Sequence, residues 1–153
     1  MNFIDEVNIV IASGNGGRGC VSFRRESMTP RGGPDGGDGG KGGDVVVQVS
    51  RNINSLVDYR RNKKYAAKNG QDGTGANCTG HHGEDLILEV PQGTVIRNSQ
   101  TDEVIVDMTG IEKQVVLKGG RGGKGNWFFK TSINQAPEYA QPGEAGEELE
   151  VKL

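Results

Sequence analysis

The chain has 153 residues, a formal net charge of −2 and only 33% hydrophobic residues, which suits one domain with a modest core. No apolar run approaches the ~20 residues of a membrane-spanning helix, and the opening MNFIDEVNIVIA is acidic and alternating, unlike a secretory leader. Two cysteines, Cys20 and Cys78, fit a reducing cytoplasm rather than a disulfide framework. The small net charge conceals a polarity. Residues 13–70 carry +6 and residues 71–153 carry −6, so the basic half either meets an anionic partner or is a solvated surface.

Phe3, Val7, Ile9 and Ile11 alternate and predict a first strand. A turn follows from Ser13 to Gly19, and CVSFRRE, with Val21 and Phe23 alternating, predicts a second strand. Thr29, Pro30 and Arg31 lead into GGPDGGDGGKGG, residues 32–43, which contains nothing hydrophobic. DVVVQVS then predicts a strand with Val45, Val47 and Val49 on one side. Ile53, Leu56 and Val57 have helical spacing for one turn only, ahead of an exposed basic stretch, RRNKKYAAK, with a strand near Tyr65. After the glycine-rich NGQDGTGANCTGHHG come DLILEVP and GTVIRN, two strands broken at 91–93, then EVIVDM and KQVVLKG, with turns at 99–102 and 110–113. A last glycine run at 119–125 precedes an irregular stretch, 126–142, and GEELEVKL closes the chain as a strand. Strands roughly eight to twelve residues apart with no long helix predict an all-β barrel or sandwich.

Residues 33–44 divide into triplets, GPD-GGD-GGK-GGD. Glycine-rich sequence often forms a flexible linker, because glycine loses the most backbone entropy on ordering. Here the run lacks serine, and four such runs between β-like segments hold 22 of the 26 glycines. That distribution predicts an ordered module. A period of three is that of the polyproline II helix, and glycine on a regular face lets such helices pack backbone to backbone. One alone is unstable, so the runs must support one another. Four triplets in one chain cannot make a collagen triple helix.

Gly14-x-Gly16-x-x-Gly19 superficially matches a dinucleotide-binding loop, but β-favouring CVSF follows where a helix must begin. No phosphate-binding loop of the form G-x-x-x-x-G-K-[ST] is present, since the sequences around Lys41 and Lys124 lack both the first glycine and the Ser or Thr. Cys78, His81 and His82 are three close metal-ligand types without a clear fourth, better read as a polar loop tip. With no catalytic constellation, a binding module is favoured over an enzyme. Arg24, Arg25, Arg31, Lys41, Arg60, Arg61, Lys63, Lys64, Arg121, Lys124 and Lys130 border the glycine excursions, where they can meet RNA phosphates. Trp127, the sole tryptophan, is read as a core plug ahead of a base-stacking side chain.

FRRE at 23–26, GGPDGGDGGKGGDV at 32–45, CTGxxGxDL at 78–86, VPxGT at 90–94 and GGRGGKGN at 119–126 resemble the N-terminal domain of the Obg family. Its members are bacterial ribosome-associated GTPases. The resemblance implies a mostly β chain: a glycine-rich bundle of left-handed polyproline II helices on a small β-barrel, the Obg fold. Residues 1–153 then form one such domain, with excursions at about 13–43, 69–83 and 119–146. It also implies docking on the large ribosomal subunit near the peptidyl-transferase centre, late assembly of that subunit, and a stress response linked to guanosine tetraphosphate. Stress-signalling proteins are further implied partners, and a cytoplasmic monomer without membrane attachment is expected.

The family's GTPase domain, with its P-loop, GTP and Mg²⁺, should begin after Leu153 and is absent from this sequence, so this chain is expected to need no cofactor and to hydrolyse nothing. Carried onto this chain, the RNA-contacting residues are Arg24, Arg25, Arg31, Lys41, Lys63, Lys64, Gly80, His81, His82, Arg121 and Lys124. Gly33, Gly36, Gly39, Gly42, Gly73, Gly120 and Gly123 are the expected structural glycines. His81 and His82 stand where relatives often carry Lys or Arg, which lowers the fixed charge of that loop at pH 7. Two other classes remain: a structural or surface-binding polyproline II bundle without RNA binding, and an enzyme acting at the glycine loops. Charged Asp35, Asp38 and Lys41 fit a flat, small-residue surface poorly.

Overall fold

The computed structural model describes residues 6–23, 33–52, 56–130 and 137–153. Among these residues eight strands form: β1 (Asn8–Ala12), β2 (Val45–Val49), β3 (Lys64–Ala66), β4 (Leu86–Val90), β5 (Val95–Asn98), β6 (Val104–Asp107), β7 (Lys113–Leu117) and β8 (Glu148–Lys152). They make a five-stranded sheet, β3-β1-β8-β5-β6, and a three-stranded sheet, β4-β2-β7. The chain is mostly β, as expected. Ile9, Ile11, Val45, Val47, Leu88, Val90, Ile96, Leu117 and Val151 from both sheets turn inward and share one core with Met108 and Leu153. The single helical turn expected after residue 51 is a 3₁₀ turn at Val57–Arg60, and the strand near Tyr65 is β3. Tyr59 in that turn stacks edge-on against Tyr65, 5.4 Å between ring centroids.

The predicted strand over CVSFRRE does not form in its described part. Its alternation pointed Val21 into a core, but Val21 is 47% exposed. The backbone there bonds instead to the glycine segment: the Cys20 N–H donates to the Gly37 carbonyl and the Asp35 N–H donates to the Ser22 carbonyl.

β1 runs parallel to β3 and β2 parallel to β4, an arrangement that requires long crossovers. The three connections 13–44, 67–85 and 118–147 all leave and re-enter the sheets at the end marked by Ala12, Val45, Ala66, Leu86, Leu117 and Glu148. Each goes out and back, giving six segments side by side. In the middle lies 35–43. Gly37, Gly40 and Gly43 donate to the carbonyls of Thr74, Gln71 and Lys68, while Gly39 and Gly42 donate to those of Gly123 and Gly120. Gly14, Gly17 and Cys20 donate back to Gly43, Gly40 and Gly37, and Gly80 and Gly83 donate to Asp38 and Lys41. All ten bonds are 2.8–2.9 Å long. They recur every third residue, the period of a polyproline II helix.

Glycine is required by that spacing. A Cβ on Gly39 would overlap the Gly17 carbonyl, and one on Gly42 the Gly14 carbonyl; Gly36, Gly73, Gly120 and Gly123 likewise face the carbonyls of Cys20, Gly37, Glu144 and Gln141. Gly33 differs, because among the described residues an added Cβ meets only the tip of Lys130, 3.7 Å away.

Amides outside this ladder are met by side chains. Asn69 Oδ1 accepts from the Asn15 N–H, Asp72 Oδ1 from Arg18, Asp38 Oδ1 from Gly125 and Asn15 Oδ1 from Gly146. Asp44 Oδ1 accepts from the Gly119 N–H at 2.7 Å and from Lys41 Nζ. Burial works against the Asp44 carboxylate, but these hydrogen bonds and the charges of Lys41 and Lys118 outweigh it and hold its pKa below the ordinary 3.8.

Two stability measurements test this packing. Gly39→Ala should lower unfolding stability by about 3 kcal/mol or more, the upper range of overpacking, since the opposing atom is backbone and cannot turn away. Gly33→Ala should change it by less than about 0.5 kcal/mol. Because the folded pKa of Asp44 is depressed, its contribution is complete above 3.8 and is lost as pH falls from there through the lower folded value. In acid titrations followed by circular dichroism, Asp44→Asn should therefore show a shallower loss of stability below pH 4.

Candidate nucleic-acid interface

Among the described residues, the bundle ends, away from the sheets, in three pieces. The first is the 20–23 run with its bridge between Phe23 and Pro34. The second is a tight turn between Thr74 and Cys78, where Ala76 and Asn77 both have φ +58°. The third is a 3₁₀ turn, Asn126–Phe129. L-residues adopt the left-handed region at a cost, so the 74–78 turn needs support. Asp35, 8% exposed, supplies it: its Oδ2 accepts from the Ala76 N–H and its carbonyl from the Asn77 N–H.

Asn126 joins the first and third pieces to the glycine segment and is fully buried. Its N–H donates to the Cys20 carbonyl, its Oδ1 accepts from the Gly36 N–H, and its Nδ2 donates to the carbonyls of Ser22 and Pro137. The sequence reading passed over this residue. An asparagine directly after GGRGGKG was the available signal, since the amide side chain carries both the donor and the acceptor that a glycine ladder needs where it stops.

From that anchor the 3₁₀ turn points aromatic residues outward. Trp127 is 57% exposed and Phe128 54%, with Tyr139 at 51% beside them. Phe129 bridges the group, with its ring centroid 5.3 Å from Phe128 and 4.8 Å from Tyr139. Lys124 Nζ lies 5.4 Å from the Phe128 centroid. The expectation that Trp127 plugs a core is therefore overturned; the core is closed by aliphatic residues of the two sheets, and the ring is left at the distal end.

The predicted cations divide into groups. Lys124 sits at the aromatic end and pairs with Asp38 at 3.4 Å. Arg121 pairs with Glu144 at 2.9 Å, part-way along the bundle flank. Lys41 pairs with Asp44, and together with His82 it borders a hollow that also holds Glu84 and Asp85. Three carboxylates against one lysine and one imidazole make that hollow a poor phosphate site. Lys63 and Lys64 are exposed on the sheet edge at β3, away from the distal end. His81 and His82 are exposed, with the His81 carbonyl accepting from the Gln71 N–H at mid-bundle. Gly80 also lies at mid-bundle, against the Gln71 carbonyl, so it is a packing residue and not a tip. Arg24, Arg25 and Arg31 lie outside the described residues.

Cys20 and Cys78 are free thiols; burial, and then the charge of Asp35, pushes the Cys20 thiol above its usual range. Among the described residues no three His, Cys, Asp or Glu side chains are grouped to hold a metal, and no helix is long and apolar enough to cross a membrane.

Comparison with known proteins matches residues 4–153 to the GTP1/OBG family. The chain belongs to that family. It is 68% identical over its full length to the GTPase Obg of Bdellovibrio bacteriovorus, 56% to that of Thermodesulfovibrio yellowstonii, and 55% over 99% of its length to that of Nautilia profundicola. It spans 44%, 47% and 43% of those proteins, less than half of each. The glycine bundle and its aromatic end thus belong to a GTP1/OBG domain.

Asn126→Ala should lower stability by at least about 2 kcal/mol, because it strands the Gly36 N–H and two carbonyls in a buried site. Urea unfolding monitored by the fluorescence of Trp127, the next residue, measures it. A change below about 0.5 kcal/mol would show that the distal pieces are not joined there.

Proposed function

We propose that this chain is a docking domain for the large ribosomal subunit, meeting ribosomal RNA with the distal end of its glycine bundle. The observation that carries this reading is the aromatic group at that end, Trp127, Phe128 and Tyr139, half exposed beside the Lys124 cation. Aromatic faces next to cations bind unpaired bases with little sequence preference, at roughly 1–3 kcal/mol per stacked base. An exposed cluster of this kind marks an interaction surface in a monomeric protein.

The bundle's contribution is rigidity. A backbone bonded at every third residue presents its end in one geometry, so ordering is complete before docking and does not subtract from affinity. Exposed Lys63 and Lys64, at the start of β3, supply longer-range attraction to phosphates. The surface-binding alternative asks for a flat face of small residues, and the third position of each triplet is instead a charged side chain: Asp35, Asp38 and Asp44 accept from backbone N–H groups of neighbouring segments, and Lys41 pairs with Asp44. GTP and Mg²⁺ are assigned to the part of the GTP1/OBG proteins that this chain does not span. A role in subunit assembly and in stress signalling, in the cytoplasm, follows from the same resemblance.

Co-sedimentation with purified subunits tests the reading. The chain should pellet with large subunits and not with small ones. Log affinity should fall linearly with log salt, by roughly 0.7–0.9 for each phosphate contact. The double change Trp127→Ala and Phe128→Ala should weaken binding tenfold or more while leaving the melting temperature within a few degrees. Salt-independent binding, or full binding by the double variant, would sink the proposal.

A further inference from the structure

One concave feature at the distal end remains unexplained by stacking alone. A notch of about 240 Å³ is lined by Gly36, Gly37, Asp38, Asn77, Thr79 and Trp127. It is smaller than the ~300–1,000 Å³ of pockets for drug-sized ligands, a size suited to a single flat ring system. Its floor is backbone: a Cβ at Gly36 would strike the Cys20 carbonyl and one at Gly37 the Cys78 carbonyl, so neither segment can shift inward. Trp127 forms one wall, set by the 3₁₀ turn that begins at buried Asn126. Asn77 and Thr79, both exposed, form another, and the left-handed turn that carries Asn77 is held by buried Asp35.

Asp38 is the ionisable side chain of the lining. Its Oδ1 accepts from the Gly125 N–H at 2.8 Å and its Oδ2 faces Lys124 Nζ at 3.4 Å. An ionised carboxylate offers about four acceptor sites and no donor, so capacity remains on both oxygens. Guanine is the base whose Watson–Crick edge presents two adjacent donors, N1–H and the N2 amino group. Lys124 cancels the carboxylate's repulsion and stands ready for the phosphate of the same nucleotide.

We propose that this notch holds the base of one unpaired guanosine, with Trp127 stacking on its face and Asp38 accepting from its Watson–Crick edge. The inference rests on the docking reading and deepens it, adding a sequence preference that an aromatic surface alone does not have. A free guanine nucleotide and a guanosine within RNA share this chemistry, and RNA is the intended source because Lys124 and the exposed Phe128 extend the contact beyond one nucleotide.

Trp127 is the sole tryptophan, so its indole N–H gives a single NMR signal inside the notch. Titration with GMP should move that signal and the amides of Gly36, Gly37 and Asn77 saturably, with affinity at least about tenfold above AMP, CMP and UMP. A short oligouridylate with one central guanosine should bind more tightly than GMP, and the all-uridine strand should not. Asp38→Asn, which retains an oxygen for the Gly125 N–H, should abolish the preference, and Lys113→Ala at the opposite end of β7 should leave it intact. Melting curves establish that the variants are folded, and the wild-type nucleotide comparison decides the matter even where one is not. Equal shifts with all four nucleotides, shifts that do not saturate, or a preference that survives in folded Asp38→Asn would overturn the proposal. Subunit co-sedimentation is run in parallel. Pelleting without a guanine-specific shift overturns the notch and leaves docking standing; a guanine-specific shift without pelleting supports the notch and overturns docking.

Discussion

The structure depends on one contact repeated: a glycine Cα lying directly against the carbonyl of a neighbouring segment, with an N–H···O bond beside it. Gly39 on Gly17, Gly42 on Gly14 and Gly73 on Gly37 are instances of the same event. Each net hydrogen bond is worth only about 0.5–1.5 kcal/mol, and each ordered glycine costs more entropy than any other residue. The bundle stands because the contacts are repeated across six segments and because all six are tied at their base to strands with an aliphatic core. Neither half has an obvious route to stability alone.

That constraint explains the chemistry of the remaining positions. Where two residues of a triplet are consumed by backbone contact, the third carries the side chain, and it is polar because the backbone around it has unmet donors. Asn15, Asp38, Asp44, Asn69 and Asp72 each take up a backbone N–H from another segment. What looks in the sequence like a charged surface is in good part a set of side chains completing the hydrogen bonding. The same logic tempers the electrostatics: Lys41, Arg121 and Lys124 are each matched to a carboxylate, so the cationic character expected of the excursions is weaker than a count of charges implies.

The consequence for function is a shift in emphasis from charge to shape. A bundle without a side-chain core has no apolar interior in which to hide a large ring, so aromatic residues that enter it near the end of a ladder are left outside. Trp127 and Phe128 are exposed for that reason, immediately after the last glycine contacts at Gly123 and Gly125. The far end of the support carries exposed aromatic groups with Lys124 and Lys130 beside them, and the proposed docking to nucleic acid uses that combination.

Much of this was legible in the residues. The positions of β1, β2 and β8 follow from alternation, those of β4 to β7 from short runs bounded by turns, among them Gly93 and Gly110 at positive φ, and the bundle from the triplet period between Gly33 and Asp44. The GTP1/OBG resemblance was carried by motifs long enough to read directly. Other features were decided only by the tertiary structure. Val21 and Phe23 alternate like a strand yet lie along a glycine segment; Trp127 is apolar yet exposed; Gly80 reads as a loop tip yet packs at mid-bundle; Gly33 belongs to the triplets yet, among the described residues, faces only a lysine tip. Local sequence reports the period of an element and the direction of its faces, because those are set within a few residues. Which neighbour covers each face, and which side chain is left over where a ladder ends, depends on partners in other segments of the chain, and only the folded arrangement brings them together.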